Sequence, residues 1–235
     1  MEPLNYIERE LGKNSSEAVK TSTKHFFKEE IHTLGVKSVQ VKRIARDVLA
    51  LLRNSPRERV FDLCETLWQS GYLEKCGLAC ELAYAMKKLY VPGDFGMFER
   101  WVDNYVSNWA NCDSLCNHSV GSFVEMYPEF LDKLKLWTKS LNRWKKRAAA
   151  VSLIIPARRG LVPSVDILAI ADALLTDGDD MVQKGYGWLL KATSEAHRDE
   201  IFNYVVTKKN IMPRIALRYA IEKMPQEMRK LAMEH

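Results

Sequence analysis

An all-α protein follows from this sequence: a HEAT-like α-helical solenoid (an α-α superhelix) with an N-terminal helical cap. Three observations lead to it. Short segments recur at nearly even spacing, namely Lys75-Cys76-Gly77-Leu78-Ala79, Lys146-Arg147-Ala148-Ala149-Ala150, Gln183-Lys184-Gly185-Tyr186-Gly187 and Leu217-Arg218-Tyr219-Ala220-Ile221, and their starts step by 71, 37 and 34 residues. The first gap is two repeats long, and its midpoint near residue 111 falls inside Asn108-Trp109-Ala110-Asn111-Cys112-Asp113. Apolar residues elsewhere keep the spacing of a helix face, and no alternating stretch competes. Proline, glycine and serine then divide the chain into helix pairs, one pair per about 35 to 40 residues, as in helical-repeat solenoids.

The elements follow in order. Ser38 opens a helix through Val41, Ile44, Val48, Leu51 and Leu52. Ser55-Pro56 reads as an N-cap followed by proline at the first helical position, leading through Phe61, Leu63, Leu67 and Trp68 to Gly71. A helix from Leu73 to Tyr90 ends before Pro92-Gly93, and Asp94 is a candidate cap for the next, which carries Phe98, Trp101 and Val102. Further helices are expected over Trp109 to Met126, Pro128 to Leu141, Trp144 to Ile155, Pro163 to Leu175, Asp179 to Ala192, Glu195 to Val206 and Ile211 to Met224. The N-terminal part, with Phe26, Phe27 and Leu34-Gly35-Val36, lacks the recurring segment and is expected to cap the first repeat.

With 235 residues and 47% hydrophobic content the chain can bury one continuous core. No linker rich in proline, glycine or serine divides it. A single domain over 1–235 is expected, with residues 1–54 as the cap and 55–235 as the repeats. The first residues hold no basic segment followed by an apolar run, so no leader is expected. The longest apolar stretch, Ala148 to Ala157, is broken by Ser152 and Pro156 and falls short of the ~20 residues that span a bilayer. A soluble, cytoplasmic monomer with no membrane segment is the expectation.

Five cysteines argue against a disulfide framework. Cys76/Cys80 and Cys112/Cys116 are i,i+4 pairs and formally offer four thiolates to a metal. Zinc sites usually draw cysteines from knuckles and loops, however, so buried thiols are the better reading, and no metal or cofactor is expected.

The net charge of +5 is unevenly placed. From Asp132 to Arg159 nine basic residues (Lys133, Lys135, Lys139, Arg143, Lys145, Lys146, Arg147, Arg158, Arg159) face one acidic residue, a segment of +8 that leaves the rest at −3. A concentrated positive stretch on a near-neutral body suits a polyanion partner. A solvated basic helix face explains the charge equally well.

Enzyme signatures of the common kinds are missing: no Gly-rich phosphate loop, no H-E-x-x-H, no G-x-S-x-G, and five histidines (His25, His32, His118, His197, His235) without ligand spacing. Hydrolysis by a nucleophile triad or a metal is therefore not expected. Trp109 and Asp113 are four apart, so on a helix they project from one face one turn apart. A carboxylate on a basic surface repels phosphate unless it has a task there. The plainer alternative puts Trp109 in the core and gives Asp113 to a turn or a lysine. Trp188 follows Gly185-Tyr186-Gly187. Glycine costs about 1 kcal/mol in a helix interior, so two of them imply close approach by a neighbouring helix or a ligand, helix packing being the commoner reason. Arg147 is read as beginning a helix behind Lys145 and Lys146, where it either contacts phosphate at the surface or orients Asp113.

These residues resemble the AlkD-like DNA alkylation repair proteins, HEAT-repeat DNA glycosylases. The resemblance runs from Leu34-Gly35-Val36 to Arg218-Tyr219-Ala220-Ile221. It is most specific in Trp109 through Asp113, in Trp144-Lys145-Lys146-Arg147-Ala148-Ala149 and in Gln183-Lys184-Gly185-Tyr186-Gly187-Trp188. It implies that Trp109, Asp113, Arg147 and Trp188 form a lesion site acting on N3- and N7-alkylated purines in double-stranded DNA. On such a surface Lys145, Lys146, Arg158, Arg159, Lys191, Arg214 and Arg218 are expected to neutralise phosphates and set the register on the duplex, the plainer alternative being solubility. Where a second aromatic is expected beside Trp109, this sequence has Asn108 and Ala110.

The resemblance gives the odd carboxylate a purpose. Breaking the N-glycosidic bond of a cationic purine builds positive charge on the deoxyribose, which Asp113 would stabilise in the transition state while positioning water. Trp109 and Trp188 would flank the sugar and backbone. Glycosylases ordinarily flip the base into a pocket, whereas this family contacts the lesion's backbone. The alternatives are a non-catalytic HEAT-repeat protein binding damaged or branched DNA, and a protein-interaction scaffold whose basic stretch meets an acidic partner.

Overall fold

A computed structural model describes residues 2–234. Among them the regular structure is helical, and one isolated parallel bridge joins His32 and Tyr72. No helix is long and apolar enough to cross a membrane. The chain divides into two compact units, residues 1–115 and 116–235.

In the first unit α1 (Pro3–Asn14) is followed by α2 (Glu17–Lys24), α3 (Ser38–Leu51), α4 (Arg57–Gln69), α5 (Leu73–Ala85), α6 (Asp94–Asn104) and α7 (Trp109–Ser114). Helix α1 packs on α3, α3 on α5 and α5 on α7, while α4 pairs with α5. The fully buried Trp68, Trp101 and Phe98 fill this core. Large aromatic rings remove much apolar area from water, and here they bridge α4 and α6.

The second unit holds α8 (Gly121–Met126), α9 (Leu131–Trp137), α10 (Arg143–Val151), α11 (Ile154–Arg158), α12 (Ser164–Leu174), α13 (Asp180–Thr193), α14 (Arg198–Lys208), α15 (Arg214–Ala220) and α16 (Gln226–Met233). Helix α10 packs on α13 and α13 on α15, with α9 against α10, α12 against α13 and α14 against α16. Trp137, Tyr186 and Phe123 are its largest fully buried side chains. The recurring segments of the sequence fall on α5, α7, α10 and α13 and at the end of α15, the helices that pack successively within each unit.

Several boundaries differ from the sequence reading. Pro56 is itself the residue before α4, so Ser55 caps nothing there. Asp94 begins α6 instead of preceding it, and its carboxylate is committed to Arg57 at 2.7 Å and to Val91 N at 2.8 Å. The segment expected to run from Leu73 to Tyr90 ends as α5 at Ala85, and Lys87–Leu89 is a 3₁₀ turn. Trp109 to Met126 is interrupted by a π-helical turn, Leu115–Val120, directly after α7. The segment from Pro128 stops at Trp137, leaving Leu141 fully exposed. Helix α16 had no expected counterpart; it is eight residues long and lies beyond the last recurring segment.

All five cysteines are buried and none is in a disulfide. Burial pushes the Cys76 thiol up to about 12 and raises those of Cys64 and Cys80 as well. Among the described residues no group of three or more His, Cys, Asp or Glu is placed to hold a metal ion.

Candidate nucleic-acid interface

Helix α7 positions the first pair of candidate residues. Asn108 caps it: its Oδ1 accepts from Asn111 N at 2.9 Å, satisfying one of the donors a helix start leaves open. Asn108 is buried, so the position beside Trp109 where an aromatic was expected is occupied for a structural reason. Asn111 and Cys112 turn into the core, whereas Trp109 and Asp113 lie half-buried one turn apart on another side of the helix.

An aromatic nevertheless meets Trp109. The Phe27 ring, from the segment after α2, stacks on the indole with centroids 5.2 Å apart and planes at 17°. From sequence, Phe27 belongs only to a general N-terminal cap. Two adjacent aromatics, Phe26-Phe27, were the available signal, but nothing in helical spacing connects them to residue 109. Along another side of α7, Ala110, Asn111 and Ser114 line a groove of about 590 Å³ with Gly77 and Glu81 of α5 and Lys42 of α3.

The second pair lies in the other unit. Arg147 does not begin a helix: it is the fifth residue of α10 and is 5% exposed. That burial rules out the surface-phosphate reading. Its Nη1 donates to Met181 O of α13 at 2.6 Å, and its Cγ lies where a Cβ on Gly185 would come within 3.2 Å. Gly185 thus makes room for the arginine. Gly187 makes room for α15, since a Cβ there would come within 2.8 Å of Ala216 O and of Tyr219 Cβ. Close packing accounts for both glycines, and Trp188, next along α13, remains half-buried.

The remaining basic candidates divide by pairing. Lys146 bonds Asp177, Arg158 meets Glu195 at 3.1 Å, Arg159 meets Glu125 at 3.1 Å and Lys191 meets Glu222 at 3.0 Å. Lys145 lies over the Trp137 ring at 5.6 Å. Arg214 and Arg218 on α15 are exposed and make no ion pair among the described residues. The +8 stretch is therefore largely offset: Lys135 also pairs with Asp166 at 2.8 Å and Arg143 with Asp179 at 2.9 Å. The acids come from other elements, so a window of sequence overstates the exposed charge.

Glu74 is a buried carboxylate that no sequence motif marks. On the first turn of α5, it is 5% exposed and accepts from Thr33 Oγ1 at 2.6 Å, Gly35 N at 2.8 Å, Val36 N at 3.0 Å and Leu34 N at 2.9 Å. Its partners are mostly backbone N–H groups, which leave no mark in a sequence.

A protein-family profile described as DNA alkylation repair enzyme matches residues 7–224. No curated protein matches. Among similar solved structures is one titled "Predicted DNA alkylation repair enzyme from Enterococcus faecalis", 16% identical, covering 91% of this chain and 98% of that one with a TM-score of 0.80. At that identity the likeness shows a shared fold.

Proposed function

We propose, since the chain belongs to the DNA alkylation repair enzyme family, that it is a monofunctional glycosylase excising cationic alkylated purines, of the N3-methyladenine and N7-methylguanine type, from double-stranded DNA. The observation that carries the reading is Asp113, a half-buried carboxylate one helical turn from the Trp109 indole.

Alkylation leaves the purine ring positively charged, so the base departs as a neutral molecule when it takes the electron pair of the bond to C1′. Positive charge moves to the deoxyribose. The Asp113 carboxylate lowers the energy of that charge more than it lowers the ground state, which is the condition for accelerating the step. Water held by the same carboxylate adds to C1′ and gives up its proton to that carboxylate, which returns it to solvent. No general acid, metal or cofactor is required, because the leaving group is activated beforehand.

Trp109 and Trp188 flank the sugar in this reading, their ring faces favouring a cationic centre. Arg147, buried under α13, acts within the site and not on the outer phosphates. Lys145, Lys146, Arg158, Arg159, Lys191, Arg214 and Arg218 contact the backbone and set register without reading sequence. The protein acts as a cytoplasmic monomer.

Release of bases from methylated duplex DNA, separated by chromatography under single-turnover conditions, tests the reading. Release of N3-methyladenine or N7-methylguanine by the parent protein supports it. Tight, salt-sensitive binding to damaged or branched DNA with no base released overturns it in favour of a non-catalytic recogniser.

A further inference from the structure

Glu74 has no part in the chemistry above, yet its carboxylate is withdrawn from water and both oxygens are used on one strip of chain. Oε1 accepts from Thr33 Oγ1, Gly35 N and Val36 N, and Oε2 from Leu34 N. Bonds to an ionised acceptor are the stronger kind, and a buried carboxylate is tolerated only where its lone pairs are met in this way. The strip is fixed at further points. Leu73 N donates to His32 O at 2.8 Å, and Ser16 N donates to Gly35 O at 3.1 Å. Gly35 has φ of 76°, and a Cβ there would collide with Ser16 O, so only glycine fits.

Phe27 lies six residues before Thr33 on the same strip. Helix α2, which precedes it, buries no residue fully, and its half-buried Val19, Lys20 and Thr23 lie towards the strip and its groove and away from the main core. The backbone of Phe27 is tied to α2 on one side, where Phe27 N donates to Lys24 O at 3.3 Å, and the anchored strip holds the other end of the short link; Phe27 in turn lies flat on Trp109.

We propose that Glu74 is a positioning residue: its carboxylate pins Thr33–Val36 to α5, the pinned strip places Phe27, and Phe27 fixes the plane in which Trp109 faces the deoxyribose. The inference rests on the reading of Trp109 given under the proposed function. Glu74 touches neither Trp109 nor DNA in this scheme.

The test uses full-length protein labelled with 5-fluorotryptophan, the Trp109 resonance being assigned by its loss in Trp109→Phe. Glu74→Gln and Phe27→Leu each shift that resonance in the absence of DNA. Glu74→Gln lowers the single-turnover rate of base release about tenfold with duplex affinity nearly unchanged, the pattern of a small misplacement at the reacting centre. The double variant is no slower than Phe27→Leu alone, because both act through one ring. A Trp109 resonance unmoved by Glu74→Gln, or rate losses that multiply in the double variant, overturns the proposal. If Glu74→Gln fails to fold, Thr33→Val removes one of the four bonds and reads the same link. Should the parent release no base, the glycosylase reading fails while the resonance still decides whether Glu74 sets Trp109.

Discussion

Gly185 and Arg147 share one space: a Cβ on the glycine would come within 3.2 Å of the arginine Cγ and 3.5 Å of its Nη1. The arginine can lie under α13 and reach Met181 O only because that side chain is missing. A glycine in a helix, ordinarily a local weakness, here sets the place of a candidate site residue.

Two neighbouring glycines therefore separate function from stability. Gly185→Ala displaces the Arg147 side chain and lowers base release about tenfold while shifting stability little. Gly187→Ala drives a Cβ into the α15 backbone at 2.8 Å from Ala216 O and costs about 1–3 kcal/mol. Gly12→Ala, exposed on α1 with nothing near its added Cβ, stabilises by about 0.5–1 kcal/mol. Urea unfolding midpoints and single-turnover rates measured on the three variants check the order.

Ion pairing should grade the basic residues in DNA binding. A lysine or arginine already held by a carboxylate must give up that partner to meet a phosphate, whereas Arg214 and Arg218 have no such partner among the described residues. Arg214→Ala and Arg218→Ala are expected each to reduce the salt dependence of duplex affinity by about one counterion. Arg158→Ala and Lys191→Ala, whose partners are Glu195 and Glu222, reduce it less. Titrations across salt concentrations read the slopes directly, and equal slopes for all four variants contradict the grading.

How much was legible in the sequence follows from what each residue touches. Within each unit the recurring segments mark helices that pack one on the next, which demands small residues such as Gly77, Ala148 and Gly185 at like positions; spacing alone finds them. Trp109 and Asp113 are local to one helix, so their common face was readable. Arg147 was misplaced because its surroundings in sequence, Lys145 and Lys146, are basic and half-exposed while its surroundings in space are α13. Phe27 reaches Trp109 across 82 residues. Glu74 bonds mainly to backbone amides, and the acids that offset the +8 stretch come from Glu125 and from residues 166 to 195. None of these relations has a period.

Glu65 provides a pH-dependent contribution to the first unit. It accepts from Trp101 Nε1 and from Tyr105 OH, both at 2.6 Å, and from Arg100 at 3.2 Å. Burial pushes its carboxyl up, but the three hydrogen bonds outweigh burial and hold it below the usual carboxylate range. A depressed folded-state value stabilises above the unfolded value, about pH 4, and the contribution is lost as pH falls through the folded one. Glu65→Gln is expected to cost about 1–3 kcal/mol at neutral pH. Unfolding midpoints should converge with the parent's on acidification, and a gap that widens as pH falls contradicts the assignment.

Asp113 is the residue on which the proposed chemistry turns, and Asp113→Asn keeps its shape while removing its charge. Release of N7-methylguanine from methylated duplex DNA by parent and variant, with duplex affinity measured beside it, isolates that charge. The expected result is that the variant binds the duplex as the parent does and releases no measurable base. Equal release by Asp113→Asn and the parent would show that no anion at this position is needed, and the proposed mechanism would be wrong.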